Sequence, residues 1–469
     1  MKKIIVSTLV IASLVSCKKD MQSNEEASVK GGVEVVLPTM ADNAIIYEAN
    51  IRQYSPEGTF NAFIHDIPKL KKLGVKVLWL MPIHEIGIKN RKAKGDLSVD
   101  DIEDVIEKKI YLGSPYSIRD YRSINHKYGT KEDFQYLVDT AHKNGMYVIL
   151  DWVANHTAWD HPWVTQHPEY YTRDKEGKMI APFDWTDVAE LDYNNKNLRK
   201  VMIEDMKYWI NEFNIDGFRC DVAAEVPTDF WEKARVELNK IKPVFMLAEA
   251  EKPELMKKAF DMQYGWEAHH ILNDIAKGKK TVTAFDEYMQ KVKDSLQPDD
   301  IHMNFTSNHD ENSWNGTEYE RMGDAVETMA ALTYTIPGIP LIYNGQEYDL
   351  NKRLKFFEKD TIPHTVGKMM SVYEKLGKLK VENSALNGGK TPASYQRLVT
   401  SADTRILAFQ RENKGKKVIY IGNLSRRTQE FSLELEGKYI DYMSGKEMIF
   451  EKDQKIKLNP WQYFILIKL

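Results

Sequence analysis

The chain has 469 residues, 42% hydrophobic and 11% aromatic, with 25 glycines and 17 prolines, a composition that excludes a disordered or collagen-like protein. Its 65 Lys and Arg face 69 Asp and Glu, a formal net charge of -4 with the signs interspersed, and no basic run suits a nucleic-acid backbone. What remains is a large, mildly acidic globular enzyme, either about three domains or one α/β barrel with appendages.

In chain order, Lys2 and Lys3 precede an apolar run over residues 4–15, too short for a mature span of about 20 residues. The pattern is that of a secretory signal. Leu14-Val15-Ser16-Cys17 resembles the bacterial lipoprotein box, in which the signal is removed before a lipidated cysteine. Residues 1–16 are therefore expected to be a signal peptide and 17–40 a polar tether lipidated at Cys17, placing the protein outside the cytoplasm on a membrane. Cys220, the other cysteine, then has no disulfide partner and is expected to be a packed small hydrophobe.

From Ala44 onward short β-rich runs alternate with helical patterns. Strands are predicted at 45–47, 75–81, 146–153, 216–221, 243–247, 260–264, 301–305 and 339–343. Between them, Phe60, Phe63, Ile64, Ile67 and Leu70 recur at helical spacing before Gly74, and Thr130 with Asp133 caps a helix buried through Phe134, Leu137, Val138 and Ala141. Leu198, Val201, Met202, Asp205 and Trp209 mark a further helix. Eight such units predict an α/β fold, a (β/α)8 TIM barrel over 41–154 and 198–386, rather than an open doubly wound sheet, whose glycine-rich phosphate turn is missing after the first strand. Residues 155–197, rich in tryptophan and tyrosine and poor in helical signals, read as a small inserted domain after the third strand. Residues 387–469 read as a C-terminal antiparallel β-sandwich, with strands at 405–410, 417–421, 431–435 and 463–467 and Trp461 in its core.

Side chains at the C-terminal ends of barrel strands share one mouth. Here those ends carry Asp151 with Asn155 and His156, Arg219 with Asp221, Glu249, and Asn308-His309-Asp310. Strand alternation puts Arg219 and Asp221 on one face and Cys220 on the other. Four acids, two histidines and an arginine in one mouth point to chemistry, because desolvated acids are unfavourable without partners or a purpose.

These motifs, in this order, resemble the α-amylase family (glycoside hydrolase family 13), supported by Gly113-Ser-Pro-Tyr116 and by residues 338–347. The resemblance implies a retaining α-glucan hydrolase acting on α-1,4 bonds of starch-derived sugars through a glycosyl-enzyme intermediate. It implies Asp221 as nucleophile, Glu249 as general acid/base and Asp310 as the third acid. Tyr116, His156, Arg219 and His309 would bind substrate, and Asp151 and Asn155 would support the site. The guanidinium of Arg219 is expected to lower the proton affinity of Asp221, and the apolar run before Glu249 to favour its proton. No cofactor is implied as required. Calcium is compatible, with Asn155 and Glu190 as oxygen donors. Ala224 and Glu225 stand where many starch-cleaving members carry a Lys-His pair. Trp152, Trp159, Trp163, Trp185 and Trp314 are candidates for stacking on sugars. The charged stretch 89–109 reads as a solvated rim that narrows the cleft. His161, His167, His269 and His270 lack metal spacing and read as structural. Two alternatives stay open: a transglycosylase or α-1,6-acting member, and a catalytically retired glycan-binding or scaffold protein.

Overall fold

Eight strands close into a parallel barrel in chain order: β1 (Ile46–Ala49), β2 (Val77–Leu80), β3 (Tyr147–Trp152), β4 (Gly217–Cys220), β5 (Phe245–Ala248), β6 (Met262–Tyr264), β7 (Ile301–Asn304) and β8 (Ile339–Tyr343), which returns to β1. The computed structural model describes residues 39–95, 97–297, 299–389, 391–452 and 454–468, and the backbone of 29–30 and 33–34. The residues expected to form a signal peptide, and Cys17 at the start of the expected tether, lie outside the described residues. Among the described residues, no helix is long and apolar enough to cross a membrane.

The period-2 alternation divides each strand between two cores. Ile46, Val77, Trp79, Ile149, Phe245, Leu247, Met262 and Ile301 fill the barrel interior. Leu78, Leu80, Val148, Leu150, Trp152, Phe218, Cys220 and Met246 face outward into a larger core beneath the helices. Each such side chain contributes about 1.5–3 kcal/mol on burial. Cys220 is thus a packed apolar side chain, as its pattern implied.

The capping box of helix Lys131–Lys143 forms as read, with Thr130 Oγ1 accepting from the Asp133 amide at 3.2 Å and Asp133 Oδ2 from the Thr130 amide at 2.8 Å. Helix Lys196–Phe213 ends on Asn214 in the left-handed conformation (φ 54°) and delivers the chain to β4. Gly217 opens that strand at φ 154°, where an added Cβ would lie 1.8 Å from the Phe245 carbonyl oxygen. Only glycine lets β4 approach β5 this closely.

The long connection after β3 is a small unit built on the antiparallel pair His156–Ala158 and Val188–Glu190 and a short helix, Pro162–Gln166. A second excursion, after β2, is pinned by Glu85–Ile86 against Ile118–Asp120. The C-terminal region is antiparallel. It comprises β9 (Ser394–Arg397), β10 (Ile406–Asn413), β11 (Lys416–Asn423), β12 (Gln429–Ser432), β13 (Gly437–Asp441), β14 (Lys446–Phe450), β15 (Lys455–Leu458) and β16 (Tyr463–Lys468). Six strands form one sheet in the order β9-β10-β11-β16-β13-β14, and β12 pairs with β15. Trp461 corrects the sequence reading. It belongs to the core shared with the barrel helices rather than to that between the C-terminal strands, and its carbonyl accepts the Thr328 hydroxyl.

Candidate active site

Register builds the site. Arg219 of β4 lies opposite Asp151 of β3 and Leu247 of β5. One residue past each strand end, the Asp221 amide donates to Trp152 O and the Glu249 amide to Cys220 O, both at 3.0 Å. The hydrogen-bonded ladder thus carries both acids to the rim of the barrel. Asp310 arrives from the loop after β7, where Asn308 Oδ1 accepts the Glu311 amide at 2.8 Å.

Arg219 organises the floor. Its Nη1 donates to Asp151 Oδ1 at 2.8 Å and to Asp221 Oδ1 at 2.9 Å, and its Nε to the Tyr264 hydroxyl at 3.1 Å. Nη2 lies 2.9 Å from Glu249 Oε2 but out of line for a hydrogen bond, and that oxygen accepts the Val222 amide at 2.7 Å. The guanidinium also sits over the rings of Trp79, Tyr264 and Tyr116, at 4.9, 5.6 and 5.8 Å. Arg219 is fully buried and does not line the cleft. The expectation that it touches sugar is therefore corrected: its contacts are with the acids above it.

Above this floor opens a cleft of about 420 Å³, lined by Tyr116, His156, Asp221, Glu249, His309 and Asp310 among others. The side chains of Asp221 and Glu249 are 10% and 12% exposed and that of Asp310 is 37% exposed, so all three can reach a ligand. Tyr116 stacks on His309 (5.2 Å) and on Phe356 (6.3 Å), and its hydroxyl donates to Asp151 Oδ2 at 3.0 Å. Asn155 does not reach the cleft; it is buried, with its amide nitrogen 3.3 Å from His156 Nδ1.

Electrostatics differ from the sequence expectation at one acid. Burial, followed by the charge of Glu249, pushes the Asp221 carboxyl well above its usual range, against the lowering effect of Arg219. The arginine does act in the expected direction, but three buried carboxylates share it. Burial also raises Glu249, with Asp310 adding to the effect and Arg219 opposing it. Burial alone would lower His309, but the charges of Asp310 and Glu48 and the Glu48 hydrogen bond raise it to about 9. Burial holds His156 neutral, down to about 3.

Several participants escaped the sequence reading. Glu48, fully buried on β1, sits with Oε1 2.5 Å from His309 Nδ1. On the other side, His309 Nε2 lies 2.8 Å from the Tyr116 hydroxyl and 3.3 Å from Asp310 Oδ2. With the Tyr116 hydroxyl donating to Asp151, this setting suits a charged ring donating at both Nδ1 and Nε2, in keeping with the raised His309. Phe356, Phe357 and Lys92 also line the cleft. The inward alternation of Ile46 and Glu48 was the available signal for Glu48. Phe356 and Phe357 carry no signal, since they arrive on an irregular loop. Of the five candidate tryptophans, Trp185 and Trp314 line the cleft. Trp152 is buried against Tyr121 and Phe218, Trp163 packs on Tyr121, His161 and Tyr170, and Trp159 donates to Thr186 O. The 89–109 stretch does reach the cleft, through Lys92 and Gly95.

Asn155 and Glu190 border one groove with Glu225, but no group of three or more His, Cys, Asp or Glu able to hold a metal ion occurs among the described residues. His269 is buried against Glu311, 3.1 Å away, in a structural role.

With this geometry in place, comparison with known proteins is informative. The family model for the α-amylase catalytic domain matches residues 21–187 and 181–384. The chain belongs to the α-amylase family. Alpha-amylase 3 of Dictyoglomus thermophilum is 26% identical over 496 residues, covering 90% of this chain and 93% of that protein. Among solved structures, a maltogenic α-amylase from Thermotoga neapolitana superposes with a TM-score of 0.81 at 29% identity, covering 91% of this chain and 99% of that one. An α-amylase from Lactobacillus plantarum gives 0.78 at 30% identity with the same coverage. The chain is therefore an enzyme of the glycoside hydrolase class, built as a TIM barrel with a C-terminal antiparallel domain.

Proposed function

We propose that this α-amylase family member cleaves α-1,4-glucosidic bonds of starch-derived oligosaccharides with retention, through a covalent glycosyl-enzyme intermediate. One observation carries the assignment of roles: Asp221 and Glu249 lie against neighbouring nitrogens of one guanidinium, with Asp310 in the same cleft. Retention calls for carboxyls about 5–5.5 Å apart, and a pair held by one guanidinium is close-set in that manner. Asp221 attacks the anomeric carbon and Glu249 protonates the departing glycosidic oxygen. Water activated by Glu249 then releases the sugar. Nη1 makes an in-line hydrogen bond to Asp221, whereas Nη2 does not make one to Glu249, which favours the anion on Asp221 and the proton on Glu249. Once Glu249 holds that proton, its charge no longer raises Asp221, and the Arg219 hydrogen bond favours the anion there against burial. Asp310 and the charged His309 grip sugar hydroxyls, and Tyr116 and Trp185 offer ring faces.

Incubation with amylose, pullulan and isomaltooligosaccharides, with the product anomer followed by NMR, tests this reading. Release of α-configured maltooligosaccharides is expected, and an initial β-anomer overturns it. The aromatic wall of Trp314, Phe356 and Phe357 favours a second activity, transfer to a sugar acceptor, seen as products longer than the substrate. Cys17 lipidation is part of the same proposal, resting on the Leu14-Val15-Ser16-Cys17 box. It places the enzyme outside the cytoplasm on a membrane. Labelled palmitate should be incorporated and lost in Cys17→Ser.

A further inference from the structure

Behind the aromatic wall of the cleft lies a second cavity, of about 470 Å³, which shares no lining residue with the first. Its charges are unbalanced. Arg52, Arg91, Lys127 and Lys359 line it, against Glu57 and Glu85. Arg52 is only 3% exposed, and its guanidinium donates to backbone carbonyls alone, Gly113 O at 2.9 Å and Phe356 O. Its Nε is buried without a hydrogen-bond partner. Arg91 donates Nε to Gly87 O at 2.9 Å, and Lys359 donates to Ser55 O at 2.7 Å and Asp360 O at 2.6 Å. None of the four cations makes an ion pair among the described residues. Glu85 is already engaged, with His126 Nδ1 2.7 Å from its Oε1.

The cations also act on one another. Burial, then the charges of Arg91 and Arg52, holds the Lys127 ammonium below its usual range. Burial lowers Lys359, opposed by Asp360 and aided by Arg52, and burial lowers Arg91, opposed by Asp160 and aided by Arg119 and Arg52. A buried cation without a counter-charge is unfavourable. This wall sets one such cation, Arg52, beside the half-buried Arg91 and Lys359 and the exposed Lys127 in a cavity of small-ligand size.

We propose that this second cavity binds a phosphate-bearing small molecule. Four lining cations against two lining carboxylates leave an excess that a phosphate monoester, with about -1.5 to -2 charge at pH 7 and three acceptor oxygens, matches. Arg52 and Arg91 supply planar donors suited to phosphate oxygens. Ile86, Leu112 and Tyr128 give the remainder of the ligand an apolar surface. Through Arg52, which holds the Phe356 carbonyl, the site abuts the cleft wall from behind.

Calorimetric titration of the purified protein with inorganic phosphate and with glucose 6-phosphate, at ionic strength fixed by chloride, tests the proposal. Saturable binding is expected for at least one of them. Lys127→Glu and Arg91→Gln should each weaken it about tenfold or more, the loss of one charge-assisted hydrogen bond. Lys127 is exposed and engages no partner through its side chain, so its variant should fold normally and hold its thermal midpoint without ligand. Tighter glucose 6-phosphate binding identifies a sugar phosphate as the occupant; equal affinity identifies the free anion. Absence of saturable binding by both ligands, or affinity unchanged in both variants, overturns the proposal.

Discussion

Arg219 and Arg235 are both wholly buried, yet they sit in opposite electrostatic circumstances. Arg235, on the helix Thr228–Asn239, meets Asp261 with two parallel hydrogen bonds, Nη1 to Oδ2 at 2.8 Å and Nη2 to Oδ1 at 3.0 Å. Asp261 also accepts the Met246 amide at 2.8 Å, so the pair pins a helix to the barrel wall. Arg219, at the mouth, is divided among Asp151, Asp221 and Glu249. A matched bidentate pair is structural cement. One cation shared by three acids leaves proton affinity unsatisfied, and that imbalance is what acid–base chemistry uses.

Substitutions at the two arginine sites should therefore behave in opposite ways. Asp221→Asn should lower kcat/KM on maltooligosaccharides on the order of 10⁴-fold, while the thermal midpoint holds or rises because one of three crowded carboxylates is gone. Near-normal turnover in that variant would break the comparison at its root. Asp261→Ala should show the reverse: stability in a denaturant titration falls by about 3–5 kcal/mol, because Arg235 is left buried without its bidentate partner. Its activity per folded molecule should be unchanged.

Glu48→Gln sharpens the picture of the mouth. His309 is raised in the folded protein to about 9 from a usual value of 6.5, so its stabilisation is complete below pH 6.5 and is lost as pH rises through about 9. Thermal midpoints recorded across that window should decline in the parent and decline at lower pH in the variant. Trp314→Ala should have the smallest effect, raising KM for oligosaccharides about three- to tenfold with kcat nearly unchanged, the value of one aromatic contact. A selective fall in kcat would instead move Trp314 into the chemistry.

The barrel and the strand-end acids were legible in sequence because both follow from local periodicity. Asp151, Arg219, Asp221 and Glu249 sit where two-residue alternation and strand length place them. The strand read at 260–264 forms over Met262–Tyr264. In the C-terminal domain β9, β13, β14 and β15 are absent from the sequence reading; mixed exposure blurs the alternation of Lys446–Phe450, and Ser394–Arg397 and Lys455–Leu458 are only four residues long. Other features depend on chain paths that no local pattern encodes. Phe356 and Phe357 reach the cleft on an irregular loop, and the basic cavity gathers its four cations from four separate segments. The proton affinity of Asp221 departs from the sequence expectation because burial, and then the charge of Glu249, outweighs the arginine that the local pattern reveals.

The short unit inserted after β3 has a consequence for how this enzyme can diversify. It contributes Trp185 and Asp187 to the cleft while standing outside the barrel ladder that aligns Asp221 and Glu249. Part of the sugar-facing wall is consequently written in a stretch of polypeptide separate from the one that aligns the two acids. Exchanging that unit for another of equal span should retarget the enzyme without rebuilding its machinery.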